Sequence, residues 1–438
     1  MNSSLSNIKP KFITGWKLAL FSLKFGVSLG KYLLQRKKYP LFILKEMNLF
    51  KKNRMLGIAK IPKFGKQYYT AILRVPPWPS KAYDHMIANG GLNIRSSGTP
   101  LKTQIDSVIL GISQRCNYKC KHCYEYFNLA EKDSVPVERW KDVIKELQRI
   151  GTSIIVFSGG EPMLRYDGLL ELLKSSDKNL SNFHVHTSGH GVTEEKACAL
   201  KEAGLKAAGV ALDDFNPDRH DTFRGYPGAY QEALEALNCF REAGIFPYLN
   251  ICLTKDLIRS RRLWDYIEHA KDLNVGIMNL LEPKPCGRFL SENVEDLFSE
   301  EDRDSVTEFF IEANRSKKYK DYPLVAYHHY YEKPELLGCL MGGLSHFYID
   351  SLGNVQPCVF LPISFGNIME DDFFDIYKRM RKKVPGPLFL QCPSLYFAEK
   401  IKAKKNQGML LPIPYKEIEK EWEQMYAKNP HAKDNNIK

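Results

Sequence analysis

Apolar and polar positions along the middle of this chain alternate between two periods. Short runs rich in β-branched and aromatic residues recur: SVILGIS (107–113), SIIVFSG (153–159), NFHVHTS (182–188), AAGVALD (207–213), FPYLNICLT (246–254) and VGIMNLL (275–281). Between them apolar residues return every three to four positions, as in VERWKDVIKELQRIG and TEEKACALKEAG, each closed by a glycine in the C-cap position. Apolar strands alternating with amphipathic helices predict a parallel sheet covered by helices. Six β/α units are two short of a closed eight-fold barrel. The expected fold class is therefore α/β, with a partial (β/α)6 parallel barrel over residues 107–290. In such folds the chemistry sits at the C-terminal ends of the strands.

The flanks carry other patterns. From Ile13 to Gln35 the chain reads ITGWKLALFSLKFGVSLGKYLLQ, with Lys17, Lys24 and Lys31 seven residues apart among Leu, Phe, Val, Trp and Tyr. On a helix this makes a wide apolar face and a narrow cationic one. Lysines through the middle argue against a transmembrane span and fit a helix lying in a membrane interface. A helix packed on the protein's own body, lysines in water, fits the pattern equally. The cluster Arg36-Lys37-Lys38 and a second apolar stretch, YPLFILKEMNLF, tilt the reading toward the membrane. Residues 71–106, with VPPWPS and NGG, read as a connecting layer. Residues 325–395 read as a small α+β, cysteine-containing C-terminal domain. In it HFYIDSLGNVQPC (346–358) is a hairpin signal around a Gly-Asn turn. The last segment, 396–438, reads as a charged tail with one helix, KEIEKEWEQMYAK, whose charges form a solvated face.

Charge sharpens the picture of the first segment. Residues 1–70 hold 15 Lys/Arg against one acid, Glu46, a net of +14; the whole chain carries +12, so the remainder is near −2. A basic arm on a near-neutral body implies an anionic surface as partner. The apolar face is too large for an arm that binds a phosphate backbone, so no nucleic acid is expected. Hydrophobic residues make up 44% of the chain and aromatics 12%, which excludes a disordered protein. Ten cysteines in 438 residues, with no signal-peptide pattern ahead of them, imply a reducing, cytoplasmic setting, to which the basic arm of residues 1–70 adds peripheral membrane attachment as an option. Clustered cysteines there bind metal or serve redox chemistry.

Three cysteines fall in eight positions in CNYKCKHC, just after the first strand of the barrel. Thiolates at this spacing on a loop can converge on one metal centre. A structural zinc site would want a fourth Cys or His; His122 lies between two of the cysteines and is expected to point away from the centre they face. Three thiolates on a 4Fe-4S cluster leave one iron open for a small molecule.

Here the sequence resembles the radical S-adenosylmethionine (SAM) superfamily. The C-x3-C-x2-C motif, with His122 as the aromatic-type residue before the last cysteine, carries the resemblance together with SGGEP (158–162) at the end of the second strand. HTSG (186–189) resembles the family's Thr-Asn-Gly segment near the ribose. ALDD…RHDTFRG (211–225) resembles a fourth-strand stretch of the peptide- and protein-modifying branch, where Ala211 replaces that branch's Ser. The resemblance implies that Cys116, Cys120 and Cys123 ligate a 4Fe-4S cluster. It implies that Gly159, Gly160, Glu161, Ser188, Arg224 and His122 belong to the SAM-binding surroundings, with Arg224 meeting the SAM carboxylate by bidentate geometry. It implies reductive cleavage of SAM and hydrogen abstraction from the substrate by the 5′-deoxyadenosyl radical, with an external electron donor of the flavodoxin or ferredoxin type. No further catalytic residue follows from it.

A second set, Cys339 and Cys358 in a C-x13-G-x4-C pattern around Gly353, resembles the opening of the SPASM/Twitch auxiliary-cluster domains. The C-x2-C-x5-C-x3-C run of a full SPASM domain is absent and only Cys392 follows. One auxiliary cluster on Cys339, Cys358 and Cys392 is expected, with Cys286 in EPKPCGRF as a candidate fourth ligand beside an open site or a buried thiol. Cys198, Cys239 and Cys252 are expected in the core. Val359 follows Cys358 where sulfatase-maturing enzymes carry an Asp, which counts against that activity. The expected substrate is a peptide, protein or small molecule, although residues 1–100 do not read as a winged-helix leader-binding domain. The alternative is a membrane-associated enzyme modifying a lipid, isoprenoid or quinone. A non-catalytic metal-binding regulatory module would make the SGGEP loop and the six β/α units coincidence.

Overall fold

A computed structural model describes residues 9–35, 59–89, 105–293, 297–333 and 336–430. The Arg36-Lys37-Lys38 cluster and the stretch that follows it lie outside these residues. Strands β1 (Lys11–Thr14), β2 (Lys60–Phe64) and β3 (Gln67–Tyr68) form a small antiparallel sheet. The six runs read from the sequence are β4 (Ser107–Ser113), β5 (Ile154–Gly159), β6 (Asn182–Thr187), β7 (Leu205–Ala211), β8 (Phe246–Cys252) and β9 (Ile277–Leu281). All six pair in parallel, in sequence order.

Two more parallel strands extend this sheet. β10 (Leu324–Tyr327) pairs with β9, and β11 (His346–Ile349) pairs with β4 in the register His346↔Ser107 to Ile349↔Leu110. β11 also forms the expected hairpin with β12 (Val355–Gln356) around Gly353, whose φ is +91°. The order β10-β9-β8-β7-β6-β5-β4-β11-β12 is open, so the barrel is partial, and the C-terminal region shares its sheet. Two short strands, β13 (Ile363–Ser364) and β14 (Ile413–Pro414), pair apart from it.

Alternate residues of β8 show how the barrel interior is graded. Phe246, Tyr248, Asn250 and Cys252 stand on the inner side, while Leu249 and Ile251 pack toward the helices. At the N-terminal end Phe246 stacks on Tyr69 (3.7 Å between ring centroids, 8°) and meets Phe64, so the segment around β2 and β3 closes the barrel floor. One layer up, Tyr248 Oη and His186 Nε2 are 2.8 Å apart; above them Asn279 Nδ2 donates to Asn250 Oδ1 at 2.8 Å. The interior thus turns from apolar to polar toward the strands' C-terminal ends. Outside, helix Val137–Arg149 buries Trp140, Val143, Ile144 and Leu147 on one stripe. Each such side chain contributes about 1.5–3 kcal/mol of transfer free energy.

The two flanking readings change in detail. The expected helix forms over Gly15–Gln35, with Ile13 and Thr14 in β1 instead, and Phe21 and Phe25 pack against Tyr68, Trp78 and Tyr83 with ring centroids 4.7–5.9 Å apart. The helix therefore docks on the body with one face. Trp16, Leu20 and Leu23 remain 69%, 45% and 64% exposed, beside the exposed Lys17 and Lys24. No helix among the described residues is long and apolar enough to cross a membrane. At the other end, helix Pro393–Asn406 runs across the boundary expected at 395/396. Helix Glu419–Ala427 buries Trp422, whose Nε1 donates to Lys383 O at 2.7 Å. Its charges face water, but an aromatic ridge with Phe365, Phe397 and Tyr415 fastens it to the body.

Candidate active site

At Ser113 strand β4 ends and the cysteine loop begins. Backbone contacts hold this loop on three sides. Lys119 N and Lys121 N donate to Arg224 O (3.1 Å) and Phe223 O (2.9 Å) at the end of helix Pro217–Arg224. On the second side Arg288 N donates to Cys123 O (2.9 Å), and Arg288 Nη1 to Lys119 O (2.7 Å). On the third, Gly160 N and Glu161 N donate to Ser113 O and Arg115 O, both at 2.7 Å. A Cβ on Gly160 would stand 2.3 Å from Arg115 O. One on Gly159, where φ is +129°, would stand 2.4 Å from Ser113 O. Approach of a ligand is the expected reason for these glycines; the structure adds a protein-side reason, one backbone lying against another.

The sulfurs' residues Cys116, Cys120 and Cys123 wall a cavity of about 160 Å³ at the C-terminal ends of the strands. His122, Gly159, Gly160, Ser188, Arg224 and Cys286, all singled out from the sequence, line it as well. The His122 ring stacks on Phe223, 4.8 Å between centroids at 8°, and burial lowers its pKa to about 4. Glu161 stands behind the wall. Its carboxylate accepts from Thr187 Oγ1 (2.7 Å), Ser188 N (2.8 Å), Ser188 Oγ (2.6 Å) and Met163 N (3.0 Å). Burial raises this carboxyl's pKa, and the four donors oppose that rise only in part. Hydrogen bonds to a charged group are worth about 1.5–3 kcal/mol each, so Glu161 braces the SGGEP loop to the end of β6 and has no oxygen to spare for a ligand.

Burial also pushes up the three thiols, Cys116 to about 12. A thiolate in so dry a place needs a cation, and iron can supply it. No three His, Cys, Asp or Glu side chains among the described residues converge on a single metal ion. A cluster sets a different requirement, because it spreads its thiolates over separate irons; free thiols walling a cavity of this kind meet it, and all ten cysteines are free. Arg224 is ion-paired with the buried Asp213 (2.6 Å) and turns Nη1 toward Cys120 Sγ at 3.7 Å. Its position on the cavity wall leaves it facing both the cysteine loop and whatever lies against it.

Glu282, just beyond β9, anchors a polar network on the cavity wall. It meets Lys284 Nζ (2.7 Å), Arg303 Nε (3.3 Å) and His329 Nδ1 (3.6 Å), and accepts from Tyr327 Oη (2.6 Å). Burial alone would raise its pKa; Lys284, His329 and Arg303 overcome that and hold it at about 2. Arg303 also pairs with Glu300, so charge is balanced across this network, and the Glu282–Lys284 ion pair lines the cavity.

Residues 110–271 match the Radical SAM superfamily, and residues 339–395 match SPASM, an iron–sulfur cluster-binding domain; together they span half of the chain. The chain is a radical SAM enzyme with a SPASM domain. It is 25% identical to an AdoMet-dependent heme synthase of Oleidesulfovibrio alaskensis over 61% of this chain and 73% of that protein. A Methanosarcina barkeri protein of the same name is 29% identical over 60% of this chain and 79% of its own length. In fold it is similar to Streptococcus suis SuiB bound to S-adenosylmethionine, with a TM-score of 0.50 at 17% identity, covering 77% of this chain and 76% of that one. A radical SAM domain carries a 4Fe-4S cluster and uses SAM, and needs an external electron donor; the SPASM domain adds auxiliary iron–sulfur binding.

Within the SPASM region Cys339, Cys358 and Cys392 lie away from the cavity wall, although Phe360, two residues past Cys358, reaches it. Two residues of the radical SAM site escape a reading by motif. Asp213 sits in the ALDD stretch and holds Arg224, while its Oδ1 accepts from Cys252 N at 2.8 Å. Glu125, two residues after Cys123, accepts from Ser351 Oγ (2.5 Å) and Tyr348 Oη, tying the cysteine loop to the SPASM hairpin. An acid in an apolar stretch is the signal that could have found both. Two expected core cysteines differ from expectation: Cys198 is exposed on its helix, and Cys252 is buried but faces the cavity. Cys252 is the last inward position of β8, where the interior has already become polar. Cys239 is half-buried.

Proposed function

We propose that this enzyme cleaves SAM reductively and takes hydrogen from an unactivated C–H bond of a small carboxylate-bearing substrate, with tetrapyrroles the first class to try. The carrying observation is the one cavity that joins the cysteine triad, the Gly159–Gly160 loop and Arg224 to the Glu282–Lys284 pair. In this reading Cys116, Cys120 and Cys123 hold the 4Fe-4S cluster. Gly159, Gly160 and Ser188 bound the SAM site, and Arg224, its charge fixed by Asp213, meets an anionic group. When bound, these cofactors supply an electron and a carbon-centred radical; the protein orients them and excludes water. Cys339, Cys358 and Cys392 hold an auxiliary cluster, and a flavodoxin or ferredoxin type of donor delivers the electron. The relatives named as heme synthases support the substrate class, and Lys284 and Arg224 place side chains on the cavity wall that suit a carboxylate. The test is anaerobic incubation of the reconstituted enzyme with SAM, a reductant and either iron–porphyrin carboxylates or short peptides. Substrate-dependent 5′-deoxyadenosine with porphyrins alone supports the reading, and dependence on peptides alone overturns the substrate class.

A second reading concerns place. The exposed stripe of Trp16, Leu20 and Leu23 beside Lys17 and Lys24 supports docking of the N-terminal helix on an anionic membrane surface. The full chain is expected to sediment with vesicles containing anionic lipid at physiological salt. The W16S/L23S double variant should lose most of that binding while keeping its iron, and equal sedimentation of the two proteins would overturn the reading.

A further inference from the structure

We propose that Cys286, which lies outside the SPASM match, is the fourth protein ligand of the auxiliary iron–sulfur cluster and completes a set with Cys339, Cys358 and Cys392. This rests on the reading that those three residues hold such a cluster.

Backbone pairing gathers the three. Cys339 exchanges both hydrogen bonds with Leu388 (2.8 and 3.0 Å), four residues before Cys392. Gly342 N donates to Pro357 O at 2.9 Å, which brings the loop after Cys339 to the residue before Cys358. Cys286 arrives from the barrel side. It precedes the 3-10 turn Gly287–Ser291, as Cys392 precedes helix Pro393–Asn406. That turn and that helix pack together, and Lys402 Nζ donates to Ser291 O at 3.3 Å. The two cysteines therefore open two packed elements. Cys286 lines one small cavity with Gln356 and Val359 and a larger one with Phe360, so it faces the residues on both sides of Cys358. Lys284 is buried beside them and offsets the charge that several thiolates would bring.

Four free thiols on neighbouring packed segments, none in a disulfide, match the four corners of a cluster. The other buried thiol nearby, Cys252, is fixed by its strand on the barrel side, with its N–H held by Asp213. It is the natural comparison, because it is equally buried and one cavity wall away.

The experiment isolates the second cluster by removing the first. In a C116A/C120A/C123A background, iron, sulfide and the low-temperature EPR spectrum of the reduced protein are measured, then measured again with Cys286→Ala or Cys252→Ala added. The background is expected to hold about four irons per chain. Adding Cys286→Ala should remove them or convert the spectrum to that of a three-iron cluster, whereas adding Cys252→Ala should leave both unchanged. Cys286→Ala in the wild-type background keeps the test sound if folding is in doubt, because retention of the first cluster's irons there shows an intact barrel. An unaltered iron count and spectrum on adding Cys286→Ala overturns the assignment. A background without iron overturns instead the reading on which it rests.

Discussion

Replacing Cys120 with Ala is expected to abolish reductive formation of 5′-deoxyadenosine and to lower the iron content by about four atoms per chain. Cys120 is the middle thiol of the loop, and its neighbours Lys119 and Lys121 are both hydrogen-bonded by backbone to the helix that ends in Arg224. The loop's path is therefore fixed, so neither Cys116 nor Cys123 can shift to cover the missing position. Removal of a single sulfur costs the packing only about 1 kcal/mol, so the chain should stay folded and the loss should read as chemistry. Cys198→Ala, on an exposed helical position, is the control and should leave both quantities unchanged. Full activity in Cys120→Ala would sink the assignment of the triad.

Gly287→Ala is expected to be nearly as damaging, although it touches no thiol. Gly287 has φ of +53°, and a Cβ there would lie 2.0 Å from Cys123 O and 2.5 Å from Tyr124 Cα. The left-handed backbone alone costs an L-residue about 1–2 kcal/mol. The neighbour is main chain and cannot rotate aside, so the cysteine loop itself must shift. Gly228 supplies the comparison: its φ is +86°, yet nothing lies within 4 Å of an added Cβ. Gly228→Ala should lower the thermal midpoint modestly and keep its iron. Gly287→Ala should lower the midpoint further and lose iron from the first cluster. Equal midpoints and iron contents in the two variants would show that the contact at Cys123 does not position the loop.

Much of this arrangement is legible in the sequence because it is local. SVILGIS is a strand from its first residue to its last, and the other five runs match within about two residues at their N-terminal ends and two at their C-terminal ends. Gly159, Gly160 and the cysteines announce the site because close backbone contact and metal binding demand particular residue types at fixed spacing. What stays hidden is long-range or two-sided. LVAY at 324–327 is too short to stand out as a strand, and it becomes one because β9 offers it an unpaired edge. Nothing in HFYI reveals that its second edge meets β4, 239 residues earlier at Ser107. Glu161 sits inside a motif, but its work is a brace between two strands, which requires knowing where Ser188 lies. Trp422 disappears into the body from within a charged segment because one side of a helix suffices to bury it.

The aromatic floor under the barrel has a kinetic meaning. With Phe64, Tyr69 and Phe246 packed across the N-terminal end, the interior is a cul-de-sac, open toward the cysteine loop and its surroundings. Molecules in a cul-de-sac queue: the one seated deepest enters first and departs last. In the reading proposed above, SAM and its partner substrate share this space, so an ordered sequence of binding and release is the expected result, which product-inhibition patterns would show.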